Sequence, residues 1–195
     1  MLRAIKGRCE NCEPVVLETV LEIALTLARR GSEGKSIGAL FVIGDAEAVL
    51  RRSKPLILDP LEGYPPEQKD IRNGNVQGTI KELAKMDGAF IVSGDGYVLS
   101  ATRYIETIAR YVDLPLGFGS RHMAAASISK ETDAVAVVVS ESEGIVRLFD
   151  DGELVAEFIP WVSNLELVKP RIRGEIEKII DTTKNVTVMF RKSES

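Results

Sequence analysis

Two groups of β-rich runs flank an alanine-rich helical stretch, and no other feature constrains the fold of this chain as much. Runs 88–93 and 97–104 are separated by Gly94-Asp95-Gly96, a hairpin signal. Runs 133–140 and 145–149 are separated by Glu141-Ser142-Glu143-Gly144, and the second continues beyond Asp150-Asp151-Gly152 into 153–159. Between the groups, residues 121–130 read as a helix. Strands joined both by hairpins and through helices imply an α/β (mixed) fold, a central mixed β-sheet with helices packed around it in a single domain.

The remaining segments fit that plan. Asn11 is placed to cap a helix over 12–30, with Pro14 in its first turn, Arg29 and Arg30 in its last, and Gly31 as the stop. Apolar residues occupy most faces of this helix, so it is expected to be largely buried. Residues 37–43 read as a buried strand, and 51–74, with four prolines and two glycines, as a surface excursion. Val76, Ile80, Leu83 and Ala84 recur at helical spacing and predict an amphipathic helix ending near Met86. The pattern of 174–182 predicts a helix and that of 186–190 a final strand. We read 1–11 as an N-terminal extension and 12–195 as one domain, with its motifs within 12–159 and a C-terminal helix and strand within 170–190.

Composition excludes several classes. With 195 residues, 45% apolar and 28% charged, the chain is an ordinary globular one, able to bury roughly 70% of its unfolded surface. A net charge of −4 argues against nonspecific binding to a nucleic acid polymer, which needs many Lys and Arg against phosphates. The most apolar segment, 14–28, is broken by Glu18 and Glu22 and is too short an uncharged run to span a bilayer. No secretory leader pattern opens the chain, and a cytoplasmic location is expected. Cys9 and Cys12 form a lone C-x-x-C; a structural zinc site needs two further ligands, so reduced thiols are expected.

Two short segments carry the chemistry. Asp87-Gly88-Ala89 puts a carboxylate beside a residue without a side chain, which lets a ligand approach the backbone. Gly117-Phe118-Gly119-Ser120-Arg121-His122-Met123 opens the alanine-rich helix with a glycine turn, a hydroxyl able to cap, an arginine and the only histidine of the chain. Helix N-termini favour anions, and arginine offers a planar fork to phosphate oxygens. Neither segment is a Walker A loop or a dinucleotide fingerprint. Asp87 suits either a junction turn or Mg²⁺ or Mn²⁺ held against a phosphate. His122 suits either a satisfied structural role or a ligand contact, and Ser140 and Glu141 either a plain turn or the same site. Met123 and the following alanines read as core.

In order and separation, these motifs resemble the diadenylate cyclase domain family, which condenses two ATP into cyclic di-AMP and two pyrophosphates. Asp-Gly-Ala, the glycine turn into Arg-His, the Ala-rich helix, a Thr-Asp-Ala strand start and a Val-Ser-Glu strand end all match over about 12–159. The resemblance implies that Asp87 holds a divalent metal ion (Mn²⁺ or Mg²⁺) near the attacking 3′-hydroxyl, with Glu141 assisting at the metal. It implies that Gly88, Gly119, Ser120, Arg121, His122 and Ser140 bind the nucleotide, that Arg121 and His122 join Asp87 in catalysis, and that Ile105 contacts adenine. It also implies a homo-oligomer in which two protomers face each other about a two-fold axis. Two positions depart from the family: Met123 stands where the Arg-His-Arg motif has its second arginine, a trait of archaeal members, and Met86 stands where many bacterial members have histidine. Archaeal relatives often carry a further N-terminal domain. Membrane-spanning helices and a DNA-binding tail, present in other members, have no counterpart in the sequence. The rival readings are a homologue that senses ATP or cyclic di-AMP without turnover, and an interaction domain without a ligand.

Overall fold

The computed structural model describes residues 9–29, 35–106, 112–115, 117–160 and 169–192. Nine strands form one sheet in the order β2-β4-β3-β1-β5-β6-β7-β9-β8. In chain order they are β1 (Ala39–Ile43), β2 (Ser53–Pro55), β3 (Ala89–Val92), β4 (Val98–Ile105), β5 (Val135–Val139), β6 (Val146–Asp150), β7 (Glu153–Pro160), β8 (Ile176–Asp181) and β9 (Val186–Arg191). Only β1 and β3 run parallel; the other neighbours are antiparallel. The mixed sheet has the character the sequence predicts.

Helices cover both faces. Helix α1 (Pro14–Arg29) and α3 (Gly74–Leu83) lie on one side, α2 (Ala46–Arg51) and α4 (Ser120–Glu131) on the other. Strand β1 sends Ala39, Phe41 and Ile43 to the α1 side and Leu40 and Val42 to the α4 side. Strand β5 divides Val135, Val137 and Val139 from Ala136 and Val138 in the same way. Both strands read as unbroken apolar runs because neither face meets water. Helix α1 buries nine residues, as its all-round apolar pattern requires.

The boundaries of α1 shift. The helix starts at Pro14, and the Glu13 carbonyl accepts from Val16 N at 2.9 Å, so Asn11 is not its cap. The Asn11 carbonyl instead packs against the backbone at Gly94, where a Cβ would come within 2.0 Å of it. The turn there brings the Cα atoms of Cys9 and Cys12 to 5.5 Å, within disulfide range, and the two are joined as a disulfide rather than standing as reduced thiols. The proposed stop at Gly31 lies outside the described residues.

Two elements differ from expectation. Residues 176–181 form an edge strand, not a helix. Ile176, Ile179 and Ile180 sit at i, i+3 and i+4, which imitates a helical stripe, but the backbone pairs with β9 in the register Ile179↔Val188 and Ile180 stays exposed. Helix α2 was not expected; at six residues it is shorter than any periodicity can reveal. The excursion at 51–74 is anchored by Asp59, whose carboxylate accepts from the Ser100 hydroxyl and from Ala101 N at 3.2 Å, and it supplies the edge strand β2 beside β4.

Candidate active site

Sheet order assembles the site. Strand β1 lies between β3 and β5, parallel to the first and antiparallel to the second. The start of β1, the start of β3 and the end of β5 therefore share one edge of the sheet. Gly38, Asp87 and Glu141 stand there, and Arg121 in the first turn of α4 reaches over all three. Arg121 Nη2 donates to Asp87 Oδ1 at 3.0 Å, and its Nη1 lies 3.5 Å from Glu141 Oε2. A Cβ on Gly38 would fall 2.6 Å from that Nη1, so glycine makes room for the guanidinium.

Gly88 fixes where Asp87 emerges. Its φ is +109°, and a Cβ would lie 2.5 Å from the Thr102 carbonyl carbon, so no larger residue fits without moving β4. Thr102 itself has φ 53°, and the β3–β4 register shifts between Ala89 and Ile91. Such a bulge re-aims the residues that follow, and Tyr104 and Ile105 border the space beside Asp87.

Arg121 divides the cleft into two chemically distinct halves. One, about 590 Å³, is bordered by Leu40, Ala89, Tyr104, Ile105 and Met123 together with Asp87 and Gly88. The other, about 720 Å³, is bordered by Lys35, Ser36, Gly119, His122, Ser140 and Glu141. Ser120 and Arg121 face both. Asp87, Gly88, Ile105, Gly119, Ser120, Arg121, His122, Ser140 and Glu141 each border one half or the other. Met123 borders the apolar half and is only partly buried, so it is not the core residue its apolar character suggested.

Helix α4 opens differently from expectation. Its cap is Gly119, in extended backbone and without a side-chain hydrogen bond, and Ser120 is the first helical residue. The glycine leaves the first-turn N–H groups uncovered by any side-chain cap on the polar half, where an anion would be favoured.

His122 is almost wholly buried, at 6% exposure. It stacks on Phe118 with centroids 4.7 Å apart, and its Nε2 lies 3.1 Å from Arg147 Nη1. Arginine only donates, so Nε2 accepts and the proton of the neutral ring sits on Nδ1. Burial, reinforced by the Arg147 charge and opposed by Glu143, pushes the His122 pKa down to about 4. His122 therefore brings no cation to the cleft at neutral pH. A native pKa below the ordinary value means that stability is complete above about pH 6.5 and falls as acid protonates the unfolded chain first, a loss of roughly 2 kcal/mol by pH 5. Denaturant unfolding at pH 7 and pH 5 should show this loss in the wild type and not in His122→Gln; equal acid sensitivity of the two would mean that the ring is not held neutral. Glu143 does not obscure the comparison: burial disfavours its charge, but Arg147 and Arg171 more than offset this and hold it below the usual carboxylate range.

Several site residues left no motif. Glu143, Arg147 and Arg171 gather beside His122 and Phe118, Glu157 pairs with Arg147, and Lys35 and Ser36 border the polar half. The one sequence signal was a charge in the interior of each of two strands, Arg147 in β6 and Glu157 in β7, whose other charges, Asp150 and Glu153, stand at strand ends.

Among the described residues no group of three or more His, Cys, Asp and Glu is arranged to hold a metal ion. Asp87 and Glu141 nevertheless offer hard carboxylate oxygens on either side of Arg121, both well exposed. Mg²⁺ and Mn²⁺ are commonly held by one or two carboxylates plus substrate phosphates, and this donor set fits that chemistry. No helix among the described residues is long and apolar enough to cross a membrane.

An open mixed sheet with a helix start free of any side-chain cap, a clamped arginine and paired apolar and polar half-clefts is chemically suited to a nucleotide. A profile of the DAC family, described as DisA bacterial checkpoint controller nucleotide-binding, matches residues 26–154, and the chain belongs to that family. The diadenylate cyclase of Methanocaldococcus jannaschii is 49% identical over 144 residues, which are 74% of this chain and 45% of that protein. The diadenylate cyclase of Haloferax volcanii is 40% identical over 150 residues, 77% of this chain and 55% of that protein. The chain thus spans about half the length of these curated relatives. DacA from Staphylococcus aureus shares the fold with a TM-score of 0.50 at 24% identity, over 72% of this chain and 84% of that one.

Proposed function

We propose that this chain is a diadenylate cyclase domain that condenses two ATP into cyclic di-AMP and two pyrophosphates. The observation that carries the reading is Arg121, held between Asp87 and Glu141 where the apolar and polar halves of the cleft meet. Adenosine suits the half containing Tyr104, Ile105 and Met123. The triphosphate suits the half containing the first turn of α4, Ser140 and Lys35. The α-phosphate then falls beside Arg121, whose fork can accompany the charge that develops as the 3′-oxygen bonds to phosphorus and the bond to the departing pyrophosphate breaks. Asp87 and Glu141 would hold a divalent ion that neutralises phosphate charge and makes the 3′-hydroxyl more acidic. His122, being neutral, shapes the wall rather than neutralising phosphate.

One chain offers one such cleft, and cyclic di-AMP is two-fold symmetric. Each ATP must present its 3′-hydroxyl to the α-phosphorus of the other, so two identical half-sites facing each other complete the reaction, an isologous pairing. ATP as substrate agrees with a cytoplasmic location.

Purified protein incubated with ATP and Mn²⁺, with products identified by mass spectrometry, tests the reading. Cyclic di-AMP and pyrophosphate are expected, and none after EDTA. ADP and phosphate as products would refute a cyclase, while tight ATP binding without any product would favour a sensing homologue. Specific activity should also fall on dilution below the concentration at which protomers pair.

A further inference from the structure

Four charged residues close a ring behind the polar half of the cleft. Arg147 Nε donates to Glu157 Oε1 at 2.9 Å, and its Nη1 donates to Glu143 Oε2 at 2.6 Å. Arg171 Nη2 donates to Glu143 Oε1 at 3.0 Å, and its backbone N–H donates to Glu157 Oε2 at 3.0 Å. Each carboxylate oxygen thus has an arginine partner, and the two positive charges balance the two negative. A neutral ring adds little field to the cleft. What it does is hold position.

The parts it joins are the two walls of the phosphate half. Glu143 belongs to the turn after β5 that carries Glu141, and the Ser140 hydroxyl also donates to Glu143 Oε2 at 3.2 Å. Phe118 belongs to the glycine turn that opens α4, and its ring centroid lies 4.8 Å from Arg147 Cζ and 5.0 Å from Arg171 Cζ. Three members of the ring lie in strands or turns next to the cleft. Arg171, like Glu157, comes from beyond residue 154, where the family match ends. Arg171 and Glu143 are the outer members, their side chains 32% and 30% exposed, against 1% for Arg147.

We propose that Arg171 is a positioning residue for the phosphate half of the cleft, tying the 141–144 turn to the Phe118 turn from a segment outside the matched region. The proposal rests on reading that half as the triphosphate site. It requires an effect confined to phosphate recognition, since among the described residues no side chain bordering the apolar half is hydrogen-bonded or ion-paired with the ring.

The test uses 3′-deoxyATP with Mn²⁺, which lacks the attacking hydroxyl and cannot cyclise, and 3′-deoxyadenosine, which lacks phosphates. Calorimetry with wild type, Arg171→Met and Arg171→Lys separates the possibilities. Arg171→Met is expected to weaken 3′-deoxyATP binding about tenfold through misplacement of the wall, with 3′-deoxyadenosine unchanged, and to raise KM for ATP more than it lowers kcat. Arg171→Lys keeps the charge and one donor but loses the fork, and should recover part of the affinity. Unchanged 3′-deoxyATP binding in Arg171→Met, or equal weakening of both probes, overturns the proposal while leaving the nucleotide reading intact. If the methionine variant does not fold, the lysine variant decides by the same comparison with wild type. Wild-type protein that binds neither probe overturns the nucleotide reading, and this proposal with it.

Discussion

Asp87→Asn is expected to lower turnover by at least about a hundredfold, in line with removal of one key electrostatic group from an active site, while leaving the fold intact. The side chain of Asp87 is 81% exposed and accepts a hydrogen bond from Arg121, so the amide removes charge without opening a cavity. Two consequences follow from the lost charge. The carboxylate that would hold the divalent ion is gone, and Arg121 is released toward Glu141 alone. The melting temperature should stay within a few degrees of wild type while the cyclic di-AMP rate collapses, and mixing variant with wild-type subunits should depress activity more than dilution does. A variant that retains near-wild-type turnover would remove Asp87 from the mechanism.

Arg147→Met should be the most damaging single change to stability. Arg147 and Glu157 are opposite each other in β6 and β7, and their side chains are 1% and 2% exposed. Methionine fills similar volume but leaves Glu157 with only the Arg171 N–H, strips a partner from Glu143 and removes the donor to His122 Nε2. Breaking a buried pair in this way costs about 3–5 kcal/mol, and in a domain of this size that lowers Tm by about 6–20 °C. Arg147→Met combined with Glu157→Met removes both charges and should recover a large part of the loss, because no uncompensated charge then remains between the two strands. A loss below about 1 kcal/mol for the single variant, the range of exposed pairs, would mean that water reaches this pair.

Much of the site was legible because its parts are local. Asp87-Gly88 and Ser120-Arg121-His122 each act through neighbours in sequence, and the apolar runs of β1, β3, β5 and β7 declare buried strands. The ring behind His122 was not legible. No motif in the sequence marked Arg147, Glu157 or Arg171, and only the cross-strand register shows that the first two face each other; Glu143 stood only as part of a turn. His122 was expected around the triphosphate with Ser120, Arg121 and Ser140, and only its burial against Phe118 and Arg147 shows that the ring is held neutral. Strand β8 failed for a different reason: three isoleucines at helical spacing carried the pattern, and pairing with β9 outweighed it.

Periodicity, turn chemistry and motif order by themselves determined most of the strands and helices around a mixed sheet and where the glycine turn feeds α4, and they singled out Asp87 and Arg121 as candidates for one site. Those signals act over a few residues. Tertiary structure alone decided that β1 inserts between β3 and β5, and so brings Asp87, Glu141 and Arg121 to one sheet edge across 34 residues between Arg121 and Asp87. It alone decided which buried charges pair, because pairing and desolvation depend on what packs from distant segments, and no local pattern encodes that neighbour.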